Sequence, residues 1–279
     1  MSREGSTGGP GSGGFAAVVR ARFDEAGANG QVRASTLLRL AQDVAWQHGA
    51  SLGLDRAWYE EHRLVWLVRA ADLEILQPIP MGAALRLSTA VIGHRKIWAR
   101  RRVEIRLAGP GTPADAATGQ RPSEAGGEPS PAAVAVTDWV LVDLAGRIQR
   151  IPESFSAIFS VPLADFEITR VPLGPVPAGA VRTTLVVRPQ ELDPNGHVNN
   201  AVHLDWLEEA VGAAGSPMDG ALGAQLSGIP RRYQVEYLAP LEPGAHLTMA
   251  AWPADEGWRA VLARPDGGAE AARMRLIVG

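Results

Sequence analysis

The sequence predicts an α+β chain made of one unit used twice: a strand, a loop and a long helix, followed by several antiparallel strands. An internal repeat, one amphipathic helix early in each half, and runs of alternating polarity carry that prediction. EAGANGQVRA at 25–34 and ELDPNGHVNN at 191–200 align at a spacing of 166 (191 − 25), pairing Glu25 with Glu191, Asn29 with Asn195, Gly30 with Gly196 and Val32 with Val198. DLEILQPIPMGAALRL from Asp72 and QVEYLAPLEPGAHLTM from Gln234 repeat Glu74 as Glu236, Pro78 as Pro240 and Gly82 as Gly244, at a spacing of 162 (236 − 74). Two segments recurring in the same order with so little slippage point to a tandem duplication.

The elements follow in order. Residues 1–14 are Gly/Ser-rich with no apolar stretch, which reads as a disordered N-terminus and neither a signal peptide nor an anchor. STLLRLAQDVAWQHGASLG places Leu37, Ala41, Val44, Ala45 and His48 on one side at helical spacing, with Ser35 as N-cap and Gly49 or Gly53 as the stop. RLVWLVRAADLEIL, ALRLSTAVIG and KIWARRRVEIRL then read as strands. In the last, Ile97, Ala99, Val103, Ile105 and Leu107 oppose Lys96, Trp98, Arg100, Arg102 and Glu104, as in an antiparallel sheet with one wet face. The segment 108–133 is rich in Gly, Pro, Ala and Ser and reads as a disordered insertion before the strand AVAVTDWVLVDL. The expected domains are therefore 15–170 and 181–279, joined by a Pro-rich linker over 171–180. The second repeats the order with VRTTLVVR, the loop, the helical run AVHLDWLEEAVGAA and strands from Arg231 onward.

Composition excludes several classes. Lys and Arg number 27 against 30 acids, so no global field favours nucleic acid or an anionic membrane. The chain has 0 cysteines, which removes thiolate nucleophiles, Cys-ligated zinc and disulfides. No apolar run is long enough to span a bilayer, and a cytoplasmic protein is expected. The histidines lack metal-ligand spacing, His197 and His203 being separated by five residues, so neither metal nor cofactor is expected. Gly49-Ala50-Ser51-Leu52-Gly53 fits G-x-S-x-G, but it follows a helix where a nucleophile elbow follows a strand.

The chain from about Phe15 resembles the double-hotdog acyl-carrier-protein thioesterases, and its second half also resembles the 4-hydroxybenzoyl-coenzyme A type of hotdog thioesterase. The likeness rests on ELDPNGHVNNAVHLDWLEEA, which carries D-x-N-x-H-x-N-N, and on first-half text such as LVWLVRAADLEI. It implies a tandem hotdog fold and hydrolysis of acyl thioesters held by acyl carrier protein or coenzyme A. It also implies a catalytic set of Asp193 as base or nucleophile, Asn195 as positioner and His197 as carbonyl donor or orienting partner. An acyl-coenzyme A thioesterase of another pathway and a non-catalytic acyl-binding hotdog are the alternatives. Asn199, Asn200 and His203, the last standing at the family's tyrosine position, are candidate substrate contacts. Arg95, Lys96 and Arg100, in the basic run 94–102, are candidates to receive an acidic carrier or pantetheine phosphates. The family's strand glutamate falls at Pro240 and Leu241 here; Glu236 is near, but its counterpart Glu74 suggests a structural role. A homodimer is an open option, as is the choice between an anhydride intermediate and direct attack by water.

The residues of the loop suit that chemistry on their own terms. Thioester opening needs a base or nucleophile aimed at the carbonyl carbon and donors aimed at its oxygen. Pro194 and Gly196 would display Asp193, Asn195 and His197 on a tight turn at the mouth of a helix beginning near Asn199, whose N-terminus adds unpaired N–H groups. A plain turn would explain the glycine and the asparagine. The first copy keeps that turn, yet Gly27 stands where Asp193 does and Gln31 where His197 does. The fold needs neither the acid nor the imidazole, so their presence in one copy points to a chemical task.

Overall fold

The computed structural model describes residues 14–109, 117–118, 130–159, 161, 166–214, 226, 228–265 and 267–279. The first half holds β1 (Phe15–Arg20), helix α1 (Ala34–Ser51), helix α2 (Arg56–His62), β2 (Leu64–Ile75), β3 (Ala84–Arg95), β4 (Trp98–Leu107), β5 (Ala117–Thr118), β6 (Ala133–Asp143) and helix α3 (Glu153–Phe159). The second holds β7 (Val181–Val186), helix α4 (Val202–Ala214), β8 (Arg231–Tyr237), β9 (His246–Ala254), β10 (Gly257–Ala263) and β11 (Glu270–Val278). All described strands join one antiparallel sheet in the order β5-β1-β3-β4-β6-β2-β8-β11-β10-β9-β7. Helix α1 packs on the first-half strands and α4 on β7 and β9, so each long helix is wrapped by its own half of the sheet.

The helical face read from the sequence is the buried one: Leu37, Ala41, Val44, Ala45 and His48 are all inside. Burying one such leucine contributes roughly 2 kcal/mol. The start of α1 differs from expectation. Arg33, and not Ser35, is the N-cap, with no side-chain cap, because the Arg33 N–H closes the preceding loop on the Glu25 carbonyl at 3.1 Å and the helix continues directly from it. Gly49 to Gly53 is the frayed end of this helix, where Gly53 adopts φ +82° and the Ser51 hydroxyl donates to the His48 carbonyl.

The halves meet where β2 pairs with β8, and Asp72 lies opposite Gln234 in that register. These two residues occupy equivalent positions of the repeat, 162 apart, and hydrogen bond at 3.0 Å. Between the helices, Arg39 pairs with Asp205 at 2.9 Å, again at equivalent positions, 166 apart. A pseudo-twofold axis therefore passes through both pairs.

Most of the 108–133 segment lies outside the described residues; within it, Ala117–Thr118 pairs with Ala16 and Ala17 of β1, and Ala132 and Ala133 are buried. The 171–180 stretch is tied down at its start. Val171 and Leu173 pack in a small cluster with Ala250, Trp252 and Val261. Glu236 accepts the Val171 N–H at 3.0 Å and the Arg170 guanidinium at 2.5 Å, and Asp138 accepts the Thr169 N–H at 2.8 Å. Both acids are buried, and each is satisfied by charge-assisted bonds.

Candidate active site

The two loops share one backbone scaffold. In the second, Asp193 N–H donates to the His197 carbonyl at 2.7 Å, Gly196 N–H to Asp193 at 2.9 Å, Val198 N–H to Leu241 at 3.0 Å and Asn199 N–H to Glu191 at 2.8 Å. In the first, Gly27, Gly30, Val32 and Arg33 make the same four bonds to Gln31, Gly27, Ile79 and Glu25. Gly30 and Gly196 sit at φ +73° and +81°, a left-handed conformation that suits glycine and makes the turn possible. The leading acid of each loop is structural: Glu25 and Glu191 each accept the backbone N–H three residues before them at 2.7 Å. Glu191 also takes the Arg188 guanidinium and the Trp206 indole. Burial alone would raise the Glu191 carboxyl, but the hydrogen bonds and charge of Arg188 hold it below its ordinary value.

Side chains separate the loops. In the first, the Asn29 Oδ1 folds back onto the Gln31 N–H at 3.0 Å, and it lies 3.3 Å from where a Cβ on Gly27 would stand. In the second, Asp193 takes over that duty: its Oδ1 accepts the Asn195 N–H at 2.8 Å and the His197 N–H at 3.4 Å. Among the described residues, this leaves Asp193 Oδ2 and the exposed Asn195 carboxamide without internal partners. An acid at the glycine position thus does more than add a charge, because it also releases the asparagine from capping its own turn.

Asp193, Pro194, Asn195, Asn199 and Asn200 form one edge of a cavity of about 800 Å³. Every other wall comes from the first half, including Gln42, Asp43 and Trp46 of α1, Tyr59 of α2, Trp66 of β2 and Phe155 and Phe159 of α3. The site is composite: a loop of one copy over the interior of the other. Among the described residues, the first loop borders a void of about 260 Å³, lined by Asn29, Gln31 and Arg231 among others. Part of the asymmetry is visible residue by residue. Gln42 lines the large cavity, and its second-half equivalent, Glu208, is held by the hydroxyl of fully buried Tyr233, whose own equivalent is Ala71.

Of the other candidates from the sequence, Asn199 and Asn200 share that cavity edge and the rest fall elsewhere. His197 is half-buried and outside the cavity wall. The Asn199 Oδ1 accepts the Ala201 N–H at 2.9 Å and so caps the turn into α4, which starts at Val202 rather than near Asn199. His203 is buried behind the loop, edge-on to Tyr237 at 5.0 Å, while the Tyr237 hydroxyl donates to the Asn200 carbonyl at 2.9 Å. Burial lowers the His203 imidazole to about 4, against the pull of the Asn200 and Asn199 carbonyls. Arg100 is engaged away from the cavity, gripping Asp138 through two bonds of 2.6 and 2.8 Å and stacking on Phe166. Arg95 and Lys96 are exposed at the β3–β4 turn and do not line the cavity. Leu241, at the family's glutamate position, lends only its carbonyl to Val198. Among the described residues, no acidic and histidine side chains cluster as a metal site, and no helix is long and apolar enough to cross a membrane.

Two helix-in-sheet units, with an acid-bearing loop of one at the rim of a cavity in the other, make up a double hotdog. Residues 15–111 match the acyl-ACP thioesterase N-terminal domain, and residues 187–275 match the thioesterase-like superfamily. Two thioesterase-family models thus match in tandem, one in each half of the chain. Among solved structures it is similar to one described as an oleoyl thioesterase from Lactobacillus plantarum, with a TM-score of 0.75 and 18% identity over 95% of each chain. It is also similar to an acyl-ACP thioesterase from Bacteroides thetaiotaomicron, with a TM-score of 0.70 and 14% identity over 95% of this chain and 97% of that one. The 12:0-ACP thioesterase from Umbellularia californica gives a TM-score of 0.70 and 17% identity over 99% of this chain and 98% of that one. At such identities the likeness establishes the tandem hotdog fold. No curated protein sequence matches the chain.

Proposed function

We propose that the protein hydrolyses acyl thioesters delivered on acyl carrier protein, in fatty acid biosynthesis or related lipid metabolism in the cytoplasm. The observation that carries this reading is the position of Asp193 and Asn195 on the rim of an otherwise first-half cavity rich in tryptophan and phenylalanine. The acyl chain enters the cavity, and the thioester carbon stops at the loop. In the direct route, Asp193 Oδ2 takes a proton from water, the hydroxide oxygen adds to the carbonyl carbon, the C–S bond breaks, and the proton passes to the departing thiolate. In the covalent route Asp193 itself adds to the carbonyl carbon, the C–S bond breaks to release the thiolate, and water then opens the anhydride, regenerating the carboxylate and supplying the proton the thiolate takes up. Asn195, released from its turn, orients the water or the carboxylate. His197, half-buried on the same turn, serves as donor to the carbonyl oxygen or as the partner that orients the loop.

Free-thiol release should be measured side by side on acyl-carrier and acyl-coenzyme A substrates. Faster turnover of the carrier-bound substrate supports the proposal, and preference for coenzyme A moves the enzyme to another pathway. Tight acyl binding with no turnover of either would leave an acyl-binding hotdog.

A further inference from the structure

Alternation along β4 places Arg101 on the same face as Ala99, Val103 and Ile105, the face that meets the core. Its side chain is buried, and it lines the large cavity. Among the described residues no acid pairs with it, and its described hydrogen bonds, to His48 Nδ1 and Thr89 Oγ1 at 3.0 Å each, both use Nη1. The His48 ring accepts that bond, so its imidazole is neutral; burial first, and Arg101 second, lower it to about 4. The cluster is braced by rings: His48 stacks on Phe15 at 5.9 Å and meets the edge of Phe159 at 5.6 Å. Beside it on the cavity wall, the Tyr59 hydroxyl accepts the Trp66 indole N–H at 3.1 Å and keeps its own proton to donate.

A cavity meant only for an alkyl chain has no use for such a group. A saturated chain filling it would strip water from the guanidinium and return no acceptor, the costly case for a buried charge. An oxygen on the chain would restore the bonds with a charge-assisted one. We propose that the cavity selects acyl chains bearing a hydrogen-bond-accepting oxygen along or at the end of the chain, an oxo or carboxyl group, held by Arg101 and Tyr59. This rests on the thioesterase reading for its assay but not for the binding itself.

The test uses the full chain and equal-length acyl-coenzyme A or acyl-carrier substrates that are plain, oxo-substituted or ω-carboxylated. The wild type should prefer at least one oxygenated series by about tenfold or more in kcat/KM, as a site built around a polar group discriminates against its absence. Arg101→Met should collapse that preference to a few-fold, and Tyr59→Phe should reduce it. Preference of the wild type for plain chains, or an equal loss on every substrate in Arg101→Met, would overturn the proposal. Quenching of the cavity tryptophans by free dicarboxylic against monocarboxylic acids gives a second readout on the wild type, independent of variant folding and of turnover. Selective binding of the oxygenated acids with no hydrolysis of any thioester would keep this inference and remove the proposed function.

Discussion

The loop at 25–34 and the loop at 191–200 share four backbone bonds and a left-handed glycine, yet one borders a cavity of about 800 Å³ and the other a void of about 260 Å³. The comparison separates what a turn needs from what chemistry needs. Glu25 and Glu191 hold both loops shut and belong to the turn. Gly27 and Asp193 differ, and that one difference decides which residue caps the turn and whether the asparagine amide is spent inside it.

The largest effect should come from Asp193→Asn. The amide oxygen can still accept the Asn195 N–H, so the turn and the melting temperature should hold while kcat falls about 10³-fold. Wild-type turnover in the purified variant would erase the functional distinction between the loops. Next, each half carries one buried imidazole lowered to about 4, His48 in α1 and His203 in α4. Between the ordinary 6.5 and about 4, the unfolded chain binds protons that the folded one excludes, so stability is full above 6.5 and falls as pH drops through that window. The lowered carboxyls of Glu191 and Glu236 add a further loss below their ordinary 4.5. His203→Gln should flatten the second half's share, up to ~3 kcal/mol; chemical denaturation from pH 7 to 4 would show it, and an unchanged pH slope would contradict the buried neutral state.

His197→Ala should lower kcat roughly 100-fold, the loss typical of a positioned donor, whereas Gln31→Ala should stay within a few-fold of wild type. Equal losses in two folded variants would mean that both loops serve one site. The smallest contrast is structural. Glu191→Gln removes a buried bond network and should cost about 1–2 kcal/mol, against less than about 1 kcal/mol for Glu25→Gln on its more exposed loop, read as midpoints of urea unfolding.

The repeat, the face of α1 and the alternating strands were legible because each rests on local periodicity. The turn shared by the two loops was legible because the chain contains its own control. The role of Arg100 was not: a basic run looks like a docking surface until Asp138 and Thr169, far along the chain, are found holding its arginine. His203 likewise follows the motif in sequence but turns inward, since helical geometry sets its face and not its distance from Asn199. Arg101 did leave a signal, a cation on the apolar side of an alternating strand, and its meaning required a cavity that only the assembled helices and strands enclose. Asp43, Tyr59 and the aromatic wall belong to the same class of residue, gathered from five elements by the fold.

The pseudo-twofold axis runs through Arg39 with Asp205 and through Asp72 with Gln234, positions where a residue faces its own counterpart. If two first halves associated about that axis, Arg39 would meet Arg39 and Asp72 would meet Asp72; two second halves would set Asp205 against Asp205. Each encounter is repulsive, while the unlike pairings gain the Arg39–Asp205 salt bridge and the Gln234–Asp72 hydrogen bond. A symmetric pair has no freedom to place opposite charges on its own axis, and a fused chain does. The two copies have in this sense become each other's required partner, so separated halves should prefer to reassemble as one of each.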